Sequence, residues 1–186
     1  MSAGAEVKKP EVKKPEEKVP PKPEIKHPIH DKLKEYLKDY IVSSSVNIDK
    51  TIHIQVKSEH IRTVLYKLRE FGYDFILSLS AIDYIKEKKF TIVYTLMSYS
   101  KSELKDAIVH VKIDIPRDNP RVSSVADIYP NADYDERECY EMFGIWFEGN
   151  PNMGKRFLLD PDCCPGQFPL RKDFKIPEPK IEAEEK

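Results

Sequence analysis

Apolar residues along the middle of the chain recur at two spacings, and each spacing points to an element. Leu33, Tyr36, Leu37, Tyr40 and Ile41 fall three and four apart, predicting a short amphipathic helix capped by Asp31. Ile52, Ile54 and Val56 then alternate with Thr51, His53, Gln55 and Lys57, as in a strand with one buried face. Helical spacing returns in Ile61, Val64, Leu65, Leu68 and Phe71, opened by Ser58 and closed by Gly72. Residues 75–84 and 90–97 are strand-like runs on either side of the polar 85–89, a hairpin spacing. Val109, Val111, Ile113 and Ile115 alternate with His110, Lys112 and Asp114 until Pro116 ends the strand. A last helix is predicted from near Asp135, with Asp133 or Asp135 as its cap and Gly144 as its stop. Its apolar stripe is Cys139, Met142, Phe143 and Trp146, bordered by Glu136 and Glu138, with Arg137 and Glu141 placed to pair on the far face. The expected fold is α+β: a mainly antiparallel four-stranded sheet with helices packed on one face, followed by an extended partner-binding C-terminal tail.

The two ends break this patterning. Residues 1–30 open on a repeat, Glu6-Val-Lys-Lys-Pro10 and Glu11-Val-Lys-Lys-Pro15, whose prolines and alternating charges cannot build a core. They read as a solvated tether, ahead of an α+β domain at 31–148. No aromatic is available there for base stacking and glutamates offset the lysines, so no nucleic-acid partner is expected. Residues 149–176 show no sustained period, yet Trp146, Phe147, Met153, Phe157, Leu158, Leu159, Phe168, Leu170 and Phe174 are too many large apolar groups for a solvated tail. Spaced apolar anchors on an extended chain suit a segment lying on another protein. The stretch 177–186 reads as a loose end.

Composition narrows the classes further. A net charge of −1 over 186 residues gives no global field toward nucleic acid or an anionic membrane. No apolar run approaches the roughly 18–20 residues that cross a bilayer, and the N-terminus lacks the apolar stretch of a secretory signal. Membrane association is therefore expected only through partner subunits, on the cytoplasmic side. A charged fraction of 34% hints at a thermophile.

Candidate chemistry is thin. Cys163 and Cys164 are adjacent, whereas paired thiolate ligands commonly stand two residues apart, and Cys139 falls on a buried helix face. An autonomous thiol redox protein using Cys163 and Cys164 is the alternative class. The five histidines have no ligand spacing, and six glycines offer no phosphate-cradling loop. Glu136, Glu138 and Glu141 could do acid–base work, but a charged edge beside Arg137 is more simply a docking surface or salt-bridge cluster. No catalytic, cofactor-binding or metal residue is expected.

Two stretches carry a resemblance. Glu136-Arg-Glu138, with Glu141-Met-Phe-Gly-Ile145 and Phe147-Glu-Gly149, resembles the signature of the 30-kilodalton subunit family of respiratory complex I, which also occurs in membrane-bound hydrogenases and related ion-pumping complexes. Residues 120–130 resemble the lead-in, and Phe168-Pro-Leu-Arg-Lys-Asp-Phe174 the family's second motif. The resemblance implies a subunit without cofactor in the peripheral arm, docked on a large subunit related to that of nickel–iron hydrogenase and near iron–sulfur subunits. Partner contacts are then expected from Glu136, Arg137, Glu138, Glu141, Trp146, Phe147, Phe168, Leu170, Arg171, Lys172, Asp173 and Phe174. Arg137 and Arg171 are the expected anchors, because a guanidinium can fork onto a carboxylate. Asn150 stands where the family usually has histidine. Such departures make a hydrogen-evolving or sulfur-reducing complex the alternative to a quinone reductase.

Overall fold

A computed structural model of the chain describes residues 27–160 and 166–176. Residues 1–26 of the expected tether at 1–30, Cys163 and Cys164, and the end at 177–186 lie outside the described residues.

Helix α1 runs over Pro28–Tyr36, three residues earlier than the domain boundary expected from sequence. His27 caps it, its Nδ1 accepting from the Ile29 amide at 3.3 Å. Asp31 instead sits inside the first turn, where it suits the positive end of the helix dipole. The helix does not reach Tyr40 or Ile41. Ile41–Val46 forms strand β1 instead, which folds back antiparallel on β2, Ile52–Val56. The turn between them is held by Asp49, whose carboxylate accepts from both the amide and the hydroxyl of Thr51.

A 3-10 turn at Ser58–His60 leads into α2, Ile61–Phe71. Gly72 ends it at φ +128°, a conformation open to glycine, with its amide on the carbonyls of Leu68 and Arg69. Strands β3, Phe75–Tyr84, and β4, Lys89–Met97, make the expected hairpin, and β5 is Val109–Pro116. The strand order is β1-β2-β5-β4-β3, antiparallel except for the parallel pair β2 and β5. Among the described residues the sheet thus has five strands rather than four, and it is mixed. Strand β1 escapes a reading by apolar pattern because three serines interrupt it.

Burial alternates along β2 and β5, so the sheet has one covered face. Leu33 and Leu37 from the first helical region, and Ile61, Val64, Leu65 and Leu68 from α2, join Ile54, Ile92, Tyr94, Leu96, Val111 and Ile113 in one core. Each fully buried aliphatic or aromatic side chain contributes about 1.5–3 kcal/mol relative to exposure. His53, Gln55, His110 and Lys112 occupy the alternate, half-buried positions. After β5 the chain forms a short strand β6, Arg121–Ser123, then a loop with Val125, Ile128 and Tyr129 in the core. The Tyr129 hydroxyl donates to the carbonyls of Leu65 and Tyr73 at 3.2 and 2.7 Å, fastening that loop to the end of α2. Helix α3, Ala132–Phe143, and β7, Trp146–Glu148, follow, with β7 parallel to β6.

Candidate docking site

Helix α3 starts at Ala132, not near Asp135, and neither Asp133 nor Asp135 caps it. Asn131 is the cap residue, but its side-chain amide donates to the Ile76 carbonyl at 2.6 Å instead of the helix. Four residues on, Asp135 accepts from the Leu79 amide at 3.1 Å; four further, the Cys139 thiol faces the Leu79 carbonyl at 4.0 Å. That row runs along the outer edge of β3 and occupies backbone groups that an edge strand would otherwise leave unpaired. Burial raises the Asp135 carboxyl and pushes the Cys139 thiol far up, which leaves an inert thiol.

The next face of α3 carries Glu136, fully buried rather than bordering an apolar stripe. It accepts from the Ser124 hydroxyl at 2.7 Å, the Val125 amide at 2.8 Å and the Asn150 side-chain amide at 2.9 Å. Burial pushes its carboxyl up, and these three donors offset only part of that. Glu136 therefore ties helix, preceding loop and following turn together. Arg62 braces the same loop from α2, donating to the Ser124 carbonyl and forking onto Asp127 at 2.8 and 2.7 Å.

Glu141 is also buried, and each of its oxygens accepts a backbone amide, Phe157 and Leu158, both at 2.9 Å. The expected Arg137–Glu141 pair does not form; Glu141 turns inward to the amides of Phe157 and Leu158. Arg137 instead stacks on Phe157 at 4.4 Å, lies 5.8 Å from the Tyr134 ring, and donates to the Lys155 carbonyl at 3.2 and 3.3 Å. Glu138 is exposed. Gly144 ends the helix at φ +74°, as expected from sequence. Trp146 is half-buried, edge-on to Tyr140 at 5.5 Å, while Phe147 is fully buried in the core. Glu136, Glu141 and Phe147 thus offer a partner no surface of their own.

The second motif folds back onto the same domain. The Leu170 amide donates to the Met142 carbonyl at 3.1 Å, and Arg171 Nε to the Phe143 carbonyl at 2.6 Å. The Arg171 guanidinium lies between the rings of Phe168 and Phe90, at 4.6 and 5.3 Å. Burial and the nearby Arg117 charge lower its affinity for its proton. The Lys172 amide donates to Asp83 at 2.9 Å, and Asp173 accepts from Arg117 at 2.6 Å. Arg117 also forks onto the buried Asp83 at 2.9 and 3.1 Å. Arg171 is therefore turned inward. Phe174 is half-buried, and Leu170, half exposed, points the motif's remaining apolar surface to solvent.

Sequence reasoning overlooks Asp83, Arg117, Ser124 and Tyr134. Only Asp83 leaves a trace, as an acid at a core-facing strand position, where Asp is disfavoured. Among the described residues no three His, Cys, Asp or Glu side chains are grouped to hold a metal, and no helix is long and apolar enough to cross a membrane.

Residues 54–180 match the family described as respiratory-chain NADH dehydrogenase, 30 Kd subunit. The chain belongs to that family. One relative is a subunit of the NADH-quinone oxidoreductase of Moorella thermoacetica. It is 30% identical over 149 residues, covering 78% of this chain and 92% of that protein. The corresponding subunit of the F(420)H(2) dehydrogenase of Methanosarcina mazei is 36% identical over 102 residues, 55% of this chain and 61% of that protein. Its counterpart in the NADH-quinone oxidoreductase of Chloroherpeton thalassium is 40% identical over 106 residues, 57% of this chain; the match spans only 41% of that longer protein. Among solved structures, a chain of the membrane-bound sulfane sulfur reductase, an archaeal respiratory membrane complex, superposes with TM-score 0.71 at 30% identity, over 81% of this chain and 87% of that one. A trypsin-resistant fragment of Nqo5 shares the fold at TM-score 0.57 and 24% identity, over 67% of this chain and 96% of the fragment. Within the family's signature as it stands here, Glu136 and Glu141 are the residues that fasten loops. Asn150 donates its side-chain amide to Glu136 alongside the Ser124 hydroxyl.

Proposed function

We propose that this chain is a non-catalytic subunit in the peripheral arm of a complex I-like membrane oxidoreductase. It docks there on a large subunit related to that of nickel–iron hydrogenase, on the cytoplasmic side, and reaches the membrane through its partners. The observation that carries this reading is the use of the signature carboxylates. Glu136 and Glu141 are engaged by fixed donors of the same chain, and the loop that Glu141 holds turns large apolar side chains outward. Carboxylates held this way fix shape and present a surface; a general acid or base must instead reach a reacting proton. The complex is of the sulfur-reducing or hydrogen-evolving type in a second reading, favoured by the match to a chain of the sulfane sulfur reductase over most of both chains.

The test is purification of the tagged chain from its own membranes with mild detergent, followed by identification of its stoichiometric companions and assay with quinone, sulfane sulfur and protons. Recovery of a hydrogenase-like large subunit in equal amount is the expected result. Recovery of the chain alone, or turnover by the isolated chain, overturns the proposal. The acceptor that is reduced decides between the two types of complex.

A further inference from the structure

The outer face of α3 and the segment of chain beside it bear an exposed cluster of unusual make-up. Tyr134 is 61% exposed, Leu158 49% and Phe157 41%. The Tyr134 and Phe157 rings meet edge to face at 6.0 Å, and the Arg137 guanidinium lies against Phe157 at 4.4 Å. Isolated apolar side chains on a surface are ordinary, but a contiguous group held in place from beneath is not. Here the hold is explicit. The buried Glu141 carboxylate binds the amides of both Phe157 and Leu158, so the backbone of the two exposed residues is fixed before any partner arrives. Burying a carboxylate is costly unless it is fully hydrogen-bonded, and what this one secures is an apolar pair facing water.

Charge gives the cluster a direction. Arg137 donates through Nε and Nη2 to one backbone carbonyl, that of Lys155, and among the described residues it forms no ion pair. A guanidinium held over a ring, with donors left over, is well suited to a carboxylate approaching from outside. Tyr, Arg and large apolar residues are also those that dominate binding energy at interfaces.

We propose that Tyr134, Arg137, Phe157 and Leu158 form a preorganised anchor for a segment of the large-subunit partner that bears a carboxylate beside a large apolar side chain. This deepens the function proposed above and rests on it. The carboxylate forks onto Arg137, and the apolar side chain packs on Phe157 and Leu158. The tail motif at 168–174, turned onto its own domain, then serves to brace the helix end rather than to grip the partner.

The test is the binding of the purified full-length chain to its purified large-subunit partner, followed across Arg137→Ala, Arg137→Lys, Phe157→Ser and Tyr134→Ser. Each variant is first compared with wild type by thermal melting. Arg137→Ala and Phe157→Ser should each weaken binding by about tenfold or more. Arg137→Lys should recover little of the loss, because an ammonium cannot fork or lie flat on the ring. Tyr134→Ser removes a side chain that is mostly in solvent, so it keeps the test decisive even if Phe157→Ser unfolds. Wild-type binding that all four variants retain refutes the anchor while leaving the docking function standing. No binding by wild type overturns both.

Discussion

Replacing Asp83 by alanine removes the carboxylate that joins the end of β3 to Arg117 and to the C-terminal motif. The Asp83 side chain is fully buried, and it accepts two bonds from Arg117, at 2.9 and 3.1 Å, and one from the Lys172 amide at 2.9 Å. Taking one member from a buried, hydrogen-bonded ion pair costs about 3–5 kcal/mol, largely because the other charge is left uncompensated. Two features move the cost to the low end here. Arg117 keeps Asp173 at 2.6 Å, and Lys172 is exposed, so water can replace the lost acceptor on its amide. The expected loss is about 3 kcal/mol, or a fall of roughly 6–12 °C in Tm for a domain of this size. Asp173→Ala, at the half-exposed end of the same guanidinium, should cost far less.

The pH dependence of this loss has a definite sign. Burial alone would raise the Asp83 carboxyl, but hydrogen bonds from Arg117 and Lys172 and the Arg117 charge outweigh it and hold the group below the usual carboxylate range. The folded state therefore binds this proton less readily than the unfolded chain. The stabilisation is complete above the unfolded value, about pH 4, and disappears as pH falls through the lower folded value. Urea denaturation of wild type, Asp83→Ala and Asp173→Ala, at neutral pH and in acid, reads all of this. Equal stability of the two variants, or a gap between wild type and Asp83→Ala that persists undiminished in acid, would refute the role given to the buried pair.

Two other changes probe the same architecture. Gly144→Ala would place a Cβ 2.5 Å from the Phe168 ring and 2.9 Å from Arg171, at a φ of +74°. It should lose about 1–3 kcal/mol from backbone strain and displaced packing, and limited trypsin digestion should cut faster at Arg171; unchanged cleavage would show the motif is not seated on the helix end. Tyr94→Phe removes a fully buried hydroxyl that has no hydrogen-bond partner among the described residues, so a gain of about 1 kcal/mol is expected from denaturation curves, and a loss would mean the hydroxyl is satisfied in solution.

The elements with strong apolar period are legible in the chain. Alternation fixes β2 and β5, helical spacing fixes α2, and Gly144 marks the end of α3 because a left-handed turn follows there. Strand β1 is not legible, since its stability comes from pairing with β2 rather than from an apolar face of its own. Sequence places the start of α3 too late because Asn131, the residue before it, turns its side chain to β3. The larger misreading concerns the acids. Carboxylates crowded on a helix look like a docking edge or a salt-bridge cluster when only neighbours in sequence are considered. Their partners are backbone amides of Leu79, Val125, Phe157 and Leu158, 11 to 56 residues away, and backbone donors leave no mark in composition. The second motif shows the same limit: Arg171 stands out in the sequence, but not that the Phe90 ring and the Phe143 carbonyl receive it.

Hydrogen–deuterium exchange of the full-length chain, alone and bound to its large-subunit partner, would locate the docking surface without any substitution. If the signature holds shape and α3 presents that surface, binding should slow exchange in peptides covering residues 132–143 and 155–159. The open sheet face around His53, Gln55 and Lys112 should exchange as in the free chain. Slowing confined to that sheet face, or no difference between the two states, would mean that α3 is not where the partner docks.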